Sequence, residues 1–272
     1  MKKNLPPSEL ARDSRFVRST IMDAIMDPRN LAMSERDLGS AKLQPGRPAA
    51  ADRARNLMHG IFTGEIQALE GAGRTTFDFD DDEAPFALKL DMARQCWDES
   101  RHVEISVKLG DWMGTEIGEF NEATFLYEAA CATDPILRLC GVNRALEGLA
   151  IDVFNTMREF GDISGDPILE FCEDWMLADE VTHVKMGSDW LRRLTENDPE
   201  RRERALEFQR GVDKLFSLGG FRGETEENPI QLARKLRAMA GFSTDEIDEI
   251  SEISVQAQED ARAMSAGAAP SS

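Results

Sequence analysis

Two hexapeptides in this 272-residue chain are close copies of each other: Asp98-Glu99-Ser100-Arg101-His102-Val103 and Asp179-Glu180-Val181-Thr182-His183-Val184. They use two of the chain's 3 histidines. In a helix, residues three apart share a face. Glu99 with His102, and Glu180 with His183, would each present a carboxylate and an imidazole together. Steps of three or four from Glu99 meet Leu88, Met92 and Gln95, then Ser106, Leu109 and Met113. From Glu180 they meet Leu169, Cys172, Glu173 and Met176, then Gly187, Trp190 and Leu194. Both faces are mostly apolar, which predicts that the Glu and His point inward. A buried carboxylate is costly unless it is paired or bound to metal, so the chemistry these residues suggest is that of divalent cations.

Two further acids fit the same pattern. Glu65 stands on an apolar stripe with Met58, Ile61, Phe62, Leu69 and Ala72, and Glu147 on one with Cys140, Ile151 and Phe154. The spacing repeats: 34 residues from Glu65 to Glu99 and 33 from Glu147 to Glu180, with 82 and 81 between the corresponding acids. One Glu from each of two helices, plus a Glu-x-x-His from each of two others, is the donor set of di-iron and di-manganese carboxylate bundles. All six positions are present, and over residues 50–195 the chain resembles the ferritin-like superfamily. It looks most like a bacterial group in which both motif helices carry Asp-Glu-x-x-His. The resemblance implies Glu65, Glu99, His102, Glu147, Glu180 and His183 as metal ligands. The cofactor implied is two Fe ions, with two Mn or a mixed Mn/Fe pair as the alternative.

The elements that would position these residues read as helices throughout. Segment A covers about 50–72, B about 85–113 with Pro85 at its first turn, C runs from Asp134-Pro135 to about 160, and D from Asp166-Pro167 to about 195. A further helix or crossover is expected between B and C. An N-terminal helix is expected at 7–26, and Asp198-Pro199 and Asn228-Pro229 mark further helix starts. Ser243 with Glu246 spells a capping box. The expected fold is all-α: a ferritin-like four-helix bundle over 50–195, an N-terminal helix and connector over 1–49, added helices over 196–265, and a disordered tail over 266–272.

Neighbours of the six extend the expectations. Metal-bound imidazoles usually give their second N–H to a carboxylate or carbonyl, so Asp98 is expected beside His183 and Asp179 beside His102. Ser106 and Gly187, one turn after each motif His, are expected to leave space for dioxygen and a substrate, or to pack tightly. Arg144, three before Glu147, would pair with an acid near the site or bind a substrate carboxylate. Glu173 is read as a surface acid or an extra ligand, His59 as no ligand, and the tryptophans as core or interface. Ribonucleotide reductase radical subunits, which this ligand pattern resembles, carry a Tyr four residues after the first motif His. Ser106 stands there, and the only tyrosine is Tyr127.

Composition narrows the partners. A net charge of -19 argues against nucleic acid and anionic membranes, which select positive surfaces. No apolar leader and no run of 18 apolar residues is visible. The four cysteines, Cys96, Cys131, Cys140 and Cys172, form no C-x-x-C pair and are expected as thiols in a cytoplasmic protein. The expected activity is dioxygen-dependent oxidation of a small organic substrate by a di-iron oxidase or oxygenase. Electrons would come from an external donor, because no ferredoxin or flavin motif is present, and a homodimer is expected. The alternative is peroxide scavenging of catalase or rubrerythrin type, or iron handling.

Overall fold

The structure, a computed structural model, describes residues 48–80, 82–120, 127–128, 132–218 and 230–267. The expected helix at 7–26, the start at Asn228-Pro229 and nearly all of the connector before residue 50 lie outside these residues. The described residues are helical, with no strand among them. The helices are α1 (Pro48–Thr75), α2 (Phe86–Met113), α3 (Pro135–Leu139), α4 (Glu147–Ser164), α5 (Pro167–Leu194), α6 (Pro199–Leu218), α7 (Arg234–Met239) and α8 (Thr244–Gly267). A π-helical segment, Cys140–Leu146, joins α3 to α4 without a break in helical backbone.

Helix starts follow local chemistry. Asp134 accepts from the Ile136 N–H at 2.8 Å, and Asp166 accepts from Ile168 and Leu169 at 3.1 Å each, with proline in the first turn of both helices. These carboxylates pair amides that a helix start otherwise leaves unsatisfied. Ser243 and Glu246 form the reciprocal box at 3.2 and 2.8 Å. Pro85 is the residue before α2 rather than its first, with extended ψ of 145°. The α2 and α4 ends close on Gly114 and Gly165, both left-handed at φ 77° and 71°, a conformation glycine adopts without strain. Residues 266 and 267, expected in the tail, continue α8, and 268–272 lie outside the described residues. The stretch after α2 is turn and coil from 114 to 120, Tyr127 and Glu128 are helical, and 121–126 and 129–131 lie outside the described residues.

α1 lies along α2, and α4 along α5; the two pairs meet through α2 against α5 and α1 against α4. Their shared interior contains Met58, Ile61, Leu109, Ile151, Phe154, Met157, Leu169 and Met176. α6 and α8 pair with each other, and α6 also covers the π-helical segment. Val212, Phe216, Phe242, Ile247 and Ile250 extend the same core. α7 is fixed by a buried ion pair: Arg237 Nε and Nη2 reach the two Asp152 oxygens at 3.1 and 2.7 Å. No helix among the described residues is long and apolar enough to cross a membrane.

Candidate metal centre

Each of the four helices that enclose the interior contributes donors from its buried face. Glu65 comes from α1, Glu99 and His102 from α2, Glu147 from the start of α4, and Glu180 and His183 from α5. None is more than 4% exposed. Glu65, Glu99, His102 and Glu180 each place one donor atom within 4.8 Å of the others, and so do Glu99, Glu147, Glu180 and His183. Glu99 and Glu180 belong to both groups.

The imidazoles face both ways. His102 Nδ1 lies 2.9 Å from Glu65 Oε2, 3.2 Å from Glu99 Oε2 and 3.1 Å from Glu180 Oε1. His183 Nδ1 lies 3.1 Å from Glu99 Oε1 and 3.6 Å from Glu180 Oε1. The Nε2 atoms point away from the cluster. That of His102 is 3.3 Å from Asp179 Oδ2, and that of His183 is 3.3 Å from Asp98 Oδ2. Arg101 reaches both aspartates: its Nη2 bonds Asp98 and stands 3.3 Å from Asp179. Its guanidinium also lies over Trp175 at 4.6 Å and Trp97 at 5.9 Å.

Burial sets the protonation of this cluster. Burial first, then the Glu99 charge, pushes the Glu65 carboxyl well above the usual range. Burial and the charges of Glu180 and Glu99 do the same to Glu147. Burial alone would raise Glu99 too, but the positive charge of His183 and the close approach of both imidazoles hold it low. Glu180 is lowered despite burial and Glu99, chiefly by His183. Burial works to lower both imidazoles. It is outweighed at His102 by Asp179, Glu180 and Glu65, and at His183 by the charges of Glu99 and Glu180. In the metal-free cluster, Glu65, Glu147 and both imidazoles therefore favour their protonated forms, and Glu99 and Glu180 their charged forms. Even so, the close contacts of Glu99 Oε2, Glu147 Oε2, both Glu180 oxygens and His183 Nδ1 lack hydrogen-bond geometry, and these buried atoms are left without a hydrogen bond. Donor atoms left unpaired in a dry interior are what a bound cation would satisfy. The cluster is one that could hold a metal ion.

Sequence reasoning named Gln95 as a face residue but assigned it no role. Its amide is fully buried and donates to Glu147 Oε1 at 2.7 Å and to Glu99 Oε1 at 3.1 Å, while its oxygen accepts from Asn143 at 2.7 Å. Gln95 is four residues before Glu99, and that spacing was the available signal. Asn143 belongs to the π-helical segment, which nothing in the sequence announces. There the Glu147 N–H bonds to Val142 O, five residues back. The widened turn moves the residue three before Glu147 off its face.

Arg144 is accordingly not beside the cluster. It donates to Gln209 at 2.8 Å and Ser188 at 2.6 Å, pairs with Glu246, and stacks on Phe242 at 4.3 Å. Gly187 does not border open space either. A Cβ there would stand 2.5 Å from Asn143 Cβ, so this glycine permits close helix contact. Ser106 is 1% exposed, and its hydroxyl lies 4.0 Å from Met176 Sδ. Glu173 is not a surface acid: it is 0% exposed and joins neither donor group. His59 accepts from the Gly118 N–H at 3.0 Å and packs on Phe62 and Phe120, away from the cluster. Among the described cysteines, Cys96, Cys140 and Cys172 are free thiols, with burial pushing Cys96 up to about 11 and Cys140 up to about 12.

An all-helical protein with a buried Glu/His cluster able to take metal is the class that fold and site define together. The chain belongs to a family described as "Protein of unknown function (DUF455)", whose pattern matches residues 20–248. No curated protein matches the chain.

Proposed function

We propose that this protein is a di-metal carboxylate enzyme on a ferritin-like four-helix bundle, and that it uses dioxygen to oxidise a small organic substrate. The observation that carries this reading is the pair of donor groups sharing Glu99 and Glu180. Two overlapping sets of buried carboxylates and one imidazole each suit two adjacent cations better than one. Glu65 and His102 would hold one ion and Glu147 and His183 the other, with Glu99 and Glu180 placed to serve both. Carboxylate-rich sets with imidazole favour Fe or Mn, and we assign two Fe. When bound, a reduced iron pair supplies the electrons that activate dioxygen.

The rest of the work falls to the polypeptide. Asp98 and Asp179 accept from the outer imidazole nitrogens and fix each ring with Nδ1 inward. Gln95 keeps Glu147 and Glu99 oriented, and the apolar interior excludes water. No electron-carrier motif lies in the chain, so electrons would come from a separate donor.

Metal analysis of protein expressed aerobically in iron-defined and manganese-defined media tests the assignment. Two Fe per chain are expected, with dioxygen uptake matched to ferrous iron lost when the reduced, loaded protein meets dioxygen. Two Mn, with fast dioxygen release from hydrogen peroxide, would replace the oxidase reading with peroxide scavenging. A very large particle on size exclusion would point instead to an iron store.

A further inference from the structure

Outside the six donors, Glu173 is the one buried carboxylate among the described residues whose two oxygens both lack a hydrogen-bond partner. It lies on the buried face of α5 with Met176 and Glu180, two turns or about 10 Å before Glu180 along the axis. Met176 fills the turn between them and meets Ser106 from α2. Leu169 and Leu177 on the same face belong to the apolar core with Leu109, Phe154 and Met157. A side chain of this polarity gains nothing from such surroundings, and an unpaired polar group in a dry interior costs about 1–3 kcal/mol.

We propose that Glu173 is the polar anchor of a ligand subsite adjoining the donor cluster, and that it takes an uncharged group able both to give and to accept a hydrogen bond. A hydroxyl or primary carboxamide at the end of an apolar chain has that chemistry. Burial pushes the Glu173 carboxyl well above the usual range, against a smaller pull from His102. The protonated form that burial favours offers one O–H donor and one acceptor oxygen. An anion would find only the weak pull of His102 there. An alkylammonium would lose its hydration to meet an acid that prefers to keep its proton. An apolar chain would meet Leu169, Met176 and Leu177 on the same face. The inference deepens the reading of the six donors as a metal centre, because the subsite's role in chemistry depends on that centre.

The test is titration of the full-length, metal-loaded protein with 1-hexanol, hexanamide, hexylamine and hexanoate, read by calorimetry and by methionine-methyl NMR. Hexanol and hexanamide are expected to bind and to shift a Met176 signal, and the two charged probes to bind at least tenfold more weakly. Glu173→Gln, whose amide both donates and accepts, should stay within about threefold of the parent. Glu173→Leu should lose about tenfold, the fold-change of one hydrogen bond. Glu173→Met replaces it if the leucine variant does not fold. The idea is overturned if hexanol fails to bind the parent, if it binds the leucine variant equally, or if hexylamine binds best. Metal content is read on the same samples. Absent metal with this binding pattern intact would sink the metal-centre reading and leave the subsite standing.

Discussion

The two halves of the interior, α1 with α2 and α4 with α5, carry matching donors at a separation of 81 or 82 residues, yet their neighbours do not match. Gln95 corresponds to Met176, Met92 to Glu173, and Ser106 to Gly187, each 81 residues on. On the side of Gln95 and Gly187 the structure is closed. Gln95 is hydrogen-bonded to Glu99, Glu147 and Asn143, and Asn143 fills the space a side chain at 187 would need. On the side of Met176 and Ser106 the polar groups are under-used, and Glu173 has no partner at all. A site built from near-copies has thus become two-sided. The closed side keeps the donors in place, and the other side is where a ligand would find unmet hydrogen-bonding capacity.

The shared donors should separate most sharply from the unshared ones. Glu99→Ala and Glu180→Ala remove an oxygen donor from both groups, so metal content is expected to fall from two ions per chain to near zero. Glu65→Ala and Glu147→Ala each touch one group and should leave about one ion, by the same count of donors. Elemental analysis on purified, folded protein decides. Equal losses across all four variants would show that the two groups do not act as overlapping sites.

Much of this was readable in the residues themselves. The Glu-x-x-His repeat and the two spaced acids bring six groups to one place because helical periodicity is strict over long, uninterrupted elements such as α2 and α5. What the sequence hid lies where periodicity fails. The π-helical turn before Glu147 has no composition of its own. It turned Arg144 toward α6 and α8 and brought Asn143 to Gln95, so the expectation of a site-facing arginine did not hold. Gly187 was ambiguous for a related reason: a small residue signals either space or close approach, and only the position of Asn143 distinguishes them. Glu173 was misjudged because an acid on an otherwise apolar stripe is ordinarily solvated, and here the stripe is wholly buried.

The protonation of the metal-free cluster gives the two halves a common pH response. Glu65 and Glu147 are raised, and so are both imidazoles, so all four favour their protonated forms in the metal-free protein. Each must lose its proton to bind a cation, and two divalent ions should release about four protons. Affinity is expected to rise with pH and to weaken as pH falls. Titration in two buffers of different ionisation enthalpy measures the proton count. Release near zero would contradict the protonation pattern.

Gly187 and Ser106 break the comparison in stability. Gly187→Ala forces a Cβ to 2.5 Å from Asn143 Cβ, an overpacking that costs about 1–3 kcal/mol. Ser106→Ala removes only a hydroxyl resting 4.0 Å from a thioether sulfur, a weak acceptor, and should change stability by under about 1 kcal/mol. Urea unfolding of the metal-free variants compares them directly. Similar small costs would mean that α5 can move away from the π-helical segment without loss.

The smallest expected effect concerns a partly exposed side chain that reaches both halves from outside the donor set. Arg101 touches Asp98 and Asp179, and each aspartate holds the histidine of the opposite motif. Asp98→Asn should weaken metal binding about 10–100-fold, mainly through His183. Arg101→Met acts one contact further out and is partly exposed, so a loss of a few-fold is expected. Its distinguishing mark is symmetry: the ions on both sides should loosen together, whereas each aspartate variant should loosen one. Stepwise metal titration resolves the two, and a one-sided loss in Arg101→Met would show that the guanidinium serves a single half.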